Sequence, residues 1–158
     1  VAGLEDLYRE IILDHYRNPR NRGELETPPA HMAEGFNPLC GDEVQVFLHV
    51  NGDTISDISI SGQGCSISQS SASMMTTAVL GKTVNEARQV IRAFKQMMSI
   101  HGDDLDGSDH DVSGETVEPN ISLGDLEALR GVVKFPVRIK CATLAWNTLD
   151  QGIEETTS

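Results

Sequence analysis

Leu4, Leu7, Tyr8, Ile11 and Ile12, with His15 on the same face, recur at the 3.6-residue period of an amphipathic helix. Asn18-Pro19 ends the pattern, because a residue before proline avoids the helical region. Arg17, Arg20 and Arg22 lie at and beyond its end, and the stretch through Pro28-Pro29 reads as an irregular connection. From Glu43 the period falls to two: Val44, Val46, Leu48 and Val50 alternate with Gln45, Phe47 and His49, which predicts a strand with one face more polar. Asn51-Gly52 suits a turn with positive backbone angles, and Ile58 and Ile60 alternate beyond it, so the two strands form a hairpin. Gly62 and Gly64 end the second strand just before Cys65.

Ser66 followed by Gln69 has the spacing of a capping box, and the helix it opens runs through Met74, Met75 and Ala78 to a stop at Gly81. Thr83 with Glu86 repeats the signature and starts a helix with Val84, Ala87, Val90, Ile91, Phe94, Met97 and Met98 on its apolar stripe. Residues 101–120 break the order. Asp103, Asp104, Asp106, Asp109, Asp111, Glu115 and Glu118 stand there without a lysine or arginine, the composition of a solvated loop. A short helix around Ser122 to Arg130 is expected to end at Gly131, and Pro136 suits the first turn of a last helix carrying Ile139, Ala142, Trp146, Leu149 and Ile153.

The 158 residues fall in the range of one domain able to bury a core without disulfide staples. A formal net charge of −12 would repel a nucleic-acid backbone over most of the surface, so no nucleic-acid partner is expected. No apolar run approaches the ~18 residues of a membrane span, and the start Val1-Ala2-Gly3-Leu4-Glu5-Asp6 lacks the basic and apolar regions of a secretory signal. The expectation is a cytoplasmic protein without membrane contact, in a compartment that keeps thiols reduced.

That setting changes the meaning of the three cysteines. They stand in Asn37-Pro38-Leu39-Cys40-Gly41-Asp42, Gly62-Gln63-Gly64-Cys65-Ser66 and Phe135-Pro136-Val137-Arg138-Ile139-Lys140-Cys141. An odd number fits a disulfide framework poorly, whereas three thiolates and one carboxylate supply the four donors of a closed tetrahedral zinc site. Gly41 permits a bend that aims Cys40 and Asp42 at one point, and Cys65 and Cys141 lie near predicted helix starts, where the dipole favours thiolate. Arg138 and Lys140 add positive charge beside Cys141. Each cysteine taken alone is also explained as a small buried thiol, and Asp42 as a turn residue. No local zinc-knuckle spacing exists, so the fold must assemble any site. The acidic stretch fails the calcium-loop template, since Gly107 in its glycine place puts Gly102 and Ser113 at ligand positions. His15 and His49 read as ordinary facial histidines. Walker, dinucleotide-binding and G-x-S-x-G motifs are missing, which argues against those enzyme classes.

Together with Ser71-Ala72-Ser73-Met74-Met75, Val79-Leu80-Gly81-Lys82 and Ala142-Thr143-Leu144-Ala145-Trp146, the three cysteine segments resemble the U-type iron-sulfur cluster assembly family, closest to its SufU branch. The resemblance covers nearly the whole chain. It implies a single α+β domain over residues 1–158, a small antiparallel sheet packed against several helices, with an acidic insertion at about 101–121. It also implies a metal site of Cys40, Asp42, Cys65 and Cys141, and a pyridoxal-phosphate cysteine desulfurase of the SufS type as partner, with downstream iron-sulfur assembly machinery beyond it. Lys140 stands where the scaffold branch has a histidine, and the insertion is a mark of the SufU branch. The implied activity is therefore that of a zinc-bound sulfur acceptor, a sulfurtransferase that takes persulfide sulfur on Cys40. The alternatives are a scaffold that assembles a 2Fe-2S cluster on the same residues, holding iron in place of zinc, and a zinc-stabilised interaction module.

Overall fold

A computed structural model describes residues 3–27, 30–38, 41–99, 124–134 and 136–157. Helix α1 (Gly3–Arg17) leads into strands β1 (His31–Asn37), β2 (Asp42–Asn51) and β3 (Thr54–Gln63), followed by helices α2 (Ser66–Val79) and α3 (Val84–Ser99). A 3₁₀ segment (Gly124–Lys134) precedes the last helix, α4 (Pro136–Thr157). The sheet is antiparallel in the order β1-β2-β3. This is the expected α+β arrangement, and the acidic insertion at about 101–121 lies outside the described residues.

The hairpin forms as its alternation demands. Val46 faces Ile60 and Leu48 faces Ile58, and all four are buried. Asn51 pairs with Thr54, so the loop itself is Gly52-Asp53, and Gly52 carries the positive φ (+70°). The expected Asn-Gly turn is thus shifted by one residue, with glycine at the first loop position. Residues 21–23 cover the far edge of β3, with Ile60 N–H donating to Asn21 O at 2.9 Å and Gly23 N–H to Ile60 O at 2.8 Å.

Helix α4 packs along the sheet beside α2 and α3, and its buried Trp146 stacks on Phe94 of α3 at 4.4 Å between ring centres. The indole N–H donates to Ser71 Oγ at 3.0 Å, and that hydroxyl donates to Ala142 O at 2.6 Å, which ties α2 to α4. A buried indole N–H needs such a partner. Buried His15 bonds Ser73 Oγ at 2.8 Å, joining α1 to α2.

Two expectations fail and one strand is unanticipated. Strand β1 lies between the irregular connection through Pro28-Pro29 and the strand expected from Glu43, where the sequence pattern assigned no element. Its inward residues are small or polar (Ala33, Gly35, Asn37) while Met32 and Phe36 are 39% and 63% exposed, the reverse of an ordinary strand pattern. The small row lets α4 approach: Gly35 sits against Thr148 and Leu144, and Ala33 Cβ is 3.5 Å from where a Cβ of Gly152 would stand. The short helix before α4 does not end at Gly131 but continues as 3₁₀ turns to Lys134, and its buried Leu126, Leu129 and Val132 recur every third residue as that geometry requires. Helix α2 is capped by Cys65 and not by Ser66.

Candidate metal centre

The far ends of the strands, the start of α2 and the second turn of α4 meet at one point. Asp42 opens β2 opposite Asn37, the last residue of β1, and its carboxylate is buried. Cys65 is the N-cap of α2, an extended residue (φ −73°, ψ 171°) whose sulfur accepts from Ser68 N–H at 3.5 Å. Cys141 is fully buried on α4. Carboxylate Oδ1 of Asp42 accepts from Cys65 N–H at 2.9 Å, and Oδ2 lies 3.8 Å from Cys65 Sγ. Asp42 therefore joins β2 to the loop before α2 while turning its second oxygen to the sulfur.

Two glycines make this possible for different reasons. Gly41 has φ +71° with open space around it, so backbone conformation alone asks for glycine there. Gly64 has an ordinary φ, but a Cβ on it would stand 2.5 Å from Asp42 Oδ1 and 2.7 Å from Ser68 Oγ. The carboxylate occupies the place a side chain would need. Arg22 braces the same loop from outside, donating to Gly62 O at 2.6 Å and to Gln69 Oε1 at 2.7 Å.

One donor atom from each of Asp42, Cys65 and Cys141 lies within 4.8 Å of the others. With Zn–S near 2.3 Å and Zn–O near 2.1 Å, the edges of a tetrahedron are about 3.6–3.8 Å, and the Cys65–Asp42 separation already matches. Neither Cys65 nor Cys141 is in a disulfide. The donor set of soft sulfur with one carboxylate fits zinc. Cys40, the fourth expected ligand, lies outside the described residues. Arg138 reaches the centre, its guanidinium 4.0 Å from Cys141 Sγ, whereas Lys140 is exposed on α4. His15 bonds Ser73 and His49 bonds Ser56, so neither joins the cluster.

Two contacts at the centre escaped the sequence reading. Ser68 offers its main-chain N–H to Cys65 Sγ, and Asn37 Nδ2 donates to Cys141 Sγ at 3.7 Å. The first follows once Cys65 is known to be the cap. The second depends on β1 lying along α4, and only the position of Asn37 three residues before Cys40 hinted at it.

Residues 7–110 match the family of NifU-like N-terminal domains. The chain is 43% identical over 152 residues to the zinc-dependent sulfurtransferase SufU of Bacillus subtilis, spanning 96% of this chain and 92% of that protein. It is 38% identical over 154 residues to the iron-sulfur cluster assembly scaffold protein IscU of Streptococcus pyogenes, spanning 98% and 87%. Among solved structures, a protein from Fervidobacterium islandicum AW-1 described as an iron-sulfur cluster assembly scaffold for the SUF system superposes with a TM-score of 0.75. It shares 32% identity, over 96% of this chain and 99% of that one. No helix among the described residues is long and apolar enough to cross a membrane.

Proposed function

This chain belongs to the family of NifU-like N-terminal domains, and from that premise we propose that it serves iron-sulfur cluster biogenesis as a zinc-bound sulfur acceptor. Its sulfur comes from a pyridoxal-phosphate cysteine desulfurase of the SufS type, in the cytoplasm, and passes on to downstream iron-sulfur assembly machinery. The observation that carries this reading is the gathering of Asp42, Cys65 and Cys141 donors within 4.8 Å, on a chain 43% identical to a zinc-dependent sulfurtransferase.

Asp42, Cys65 and Cys141 hold the zinc with Cys40. When bound, the ion keeps its thiol ligands deprotonated without redox chemistry of its own. Cys40 is the acceptor: its thiolate attacks the terminal sulfur of the donor's persulfide, a new S–S bond forms at Cys40, and the donor's S–S bond breaks. The donor cysteine leaves as a thiolate, so no outside oxidant is consumed. Cys65 and Cys141 stay in place: the Cys65 sulfur also caps α2, and the Cys141 sulfur is covered on α4 with the Asn37 amide donating to it. Asp42 is held by the Cys65 N–H through one oxygen, which leaves the other to compete with incoming groups. Arg138, 4.0 Å from Cys141 Sγ, offsets the negative charge of three thiolates and a carboxylate.

Single-turnover transfer from a persulfidated desulfurase tests the assignment. Sulfur is expected on Cys40 by mass spectrometry and on no cysteine of Cys40→Ala. A Cys40→Ala protein that keeps zinc and accepts sulfur on another thiol refutes it. The 38% identity to an IscU scaffold favours a second reading, assembly of a 2Fe-2S cluster on the same four residues. Anaerobic purification separates the two: stoichiometric zinc with no transferable cluster supports the relay, and a stable transferable cluster supports the scaffold. A zinc-stabilised interaction module would instead show metal-dependent folding without stimulating a desulfurase.

A further inference from the structure

The contact between β1 and α4 closes like a zip toward the metal centre. Ala33 meets Gly152 and Gly35 meets Thr148 and Leu144, both through small side chains that bring strand and helix close. The last pair is different in kind: Asn37, 6% exposed, sends its amide Nδ2 to Cys141 Sγ at 3.7 Å. If packing alone were required, an apolar residue would fill the same space without the cost of burying an amide. The Asn37 main chain is engaged as well. Its carbonyl accepts from Gly41 N–H at 2.9 Å and its register partner is Asp42, so it spans both ends of the segment 38–41 in which Cys40 falls.

We infer that Asn37 is a positioning residue: its N–H···S bond fixes Cys141 as the standing ligand and thereby directs incoming sulfur to Cys40. This rests on the ligand and acceptor roles proposed above. A hydrogen bond to a thiolate draws electron density from the sulfur, which lowers its nucleophilicity and orients its remaining lone pairs toward the metal. Cys65 receives its N–H from the main chain of Ser68, a bond that persists whatever side chain stands there. At Cys141 a neutral donor is a side chain, so a substitution at Asn37 acts on that sulfur directly. Arg138 reaches the same atom with its charge at 4.0 Å and is left in place in the variants below, so that only the amide contact at 3.7 Å is removed.

Cobalt(II) in place of zinc provides the measurement, because the energy of its sulfur-to-metal charge-transfer band follows the electron density on the thiolates. Asn37→Ala removes the donor. Asn37→Leu keeps nearly the same volume without the N–H and without adding a charge, and decides the matter should the alanine variant unfold. In both, the band is expected to move to longer wavelength and cobalt affinity to fall about 10–100-fold, the usual effect of losing an outer partner of a ligand. After single-turnover transfer with the zinc-loaded variants, persulfide is expected on Cys141 as well as Cys40. An unmoved band with unchanged affinity overturns the inference. A shifted band with persulfide still confined to Cys40 overturns the steering. If the unsubstituted protein accepts persulfide on no cysteine, the sulfur-relay reading fails, while the band and the affinity still decide the bond between Asn37 and Cys141.

Discussion

Helices α2 and α3 begin with the same four-residue signature, and they use it differently. At α3 the box closes as the sequence suggests: Thr83 N–H donates to Glu86 Oε1 at 2.9 Å and Glu86 N–H donates to Thr83 Oγ1 at 3.1 Å. At α2 the cap moves back one residue to Cys65, whose sulfur accepts from Ser68 N–H at 3.5 Å, and Gln69 turns away to take a bond from Arg22. Sulfur is a weaker acceptor than a hydroxyl or carboxylate oxygen, so α2 gives up a good cap at its first position. What it gains is a thiol aimed at Asp42 and Cys141, on a loop clamped by Arg22. One helix start serves stability alone, while the other also holds the Cys65 thiol beside Asp42.

Cys65→Ser separates the two duties and carries the largest expected effect. A hydroxyl caps a helix at least as well as a thiol, so the zinc-free protein should unfold at the same or a higher denaturant concentration, with a gain of up to about 1 kcal/mol. Zinc affinity, in contrast, should fall by more than the roughly 10–100-fold that loss of an outer partner costs. Metal analysis after dialysis and urea unfolding of the zinc-free protein give the two answers. Zinc retained at full stoichiometry would remove Cys65 from the ligand set and make α2 an ordinary helix with an unusual cap.

Gly64→Ala comes next, because it leaves every donor in the chain and alters only their fit. Its Cβ would meet Asp42 Oδ1 at 2.5 Å, so the carboxylate must shift. We expect a loss of about 1–3 kcal/mol in stability from the overpacking and about 10-fold or more in zinc affinity as Asp42 is displaced. Gly131→Ala is the control, since nothing lies within 4 Å of the added atom. Equal zinc affinity in the two variants would show that Asp42 does not need its place over Gly64.

Much of this arrangement is legible in the chain, and the part that is not has a common cause. Periodicity alone locates the hairpin and the buried faces of α3 and α4, because Val46, Ile60, Phe94 and Trp146 obey the spacing of their elements. The Asp42 and Cys65 side of the centre follows from the hairpin that joins them. Strand β1 was illegible because its contact with α4 requires small residues inward, which leaves Met32 and Phe36 facing out and inverts the signal. Asn37 was lost with it, since its meeting with Cys141 is set by strand-to-helix packing and by nothing local. The cap of α2 was misplaced for the opposite reason: Ser66 and Gln69 satisfy a local rule that the contacts of Cys65 with Asp42 override.

The smallest effects test the helix starts directly. Thr83→Ala removes a hydroxyl that accepts from Glu86 N–H, and should cost about 1 kcal/mol, within the range of about 0.5–2 kcal/mol for lost caps. Zinc affinity should not change. Gln69→Ala, at the place in α2 that Glu86 holds in α3, removes no cap, only the exposed bond from Arg22, and should cost less than about 0.5 kcal/mol. Urea midpoints at constant slope compare the two on one scale. If Gln69→Ala proved as damaging as Thr83→Ala, Gln69 would be closing a capping box with Ser66 in solution. Cys65 would then be relieved of its duty at the helix start, and the distinction between α2 and α3 would disappear.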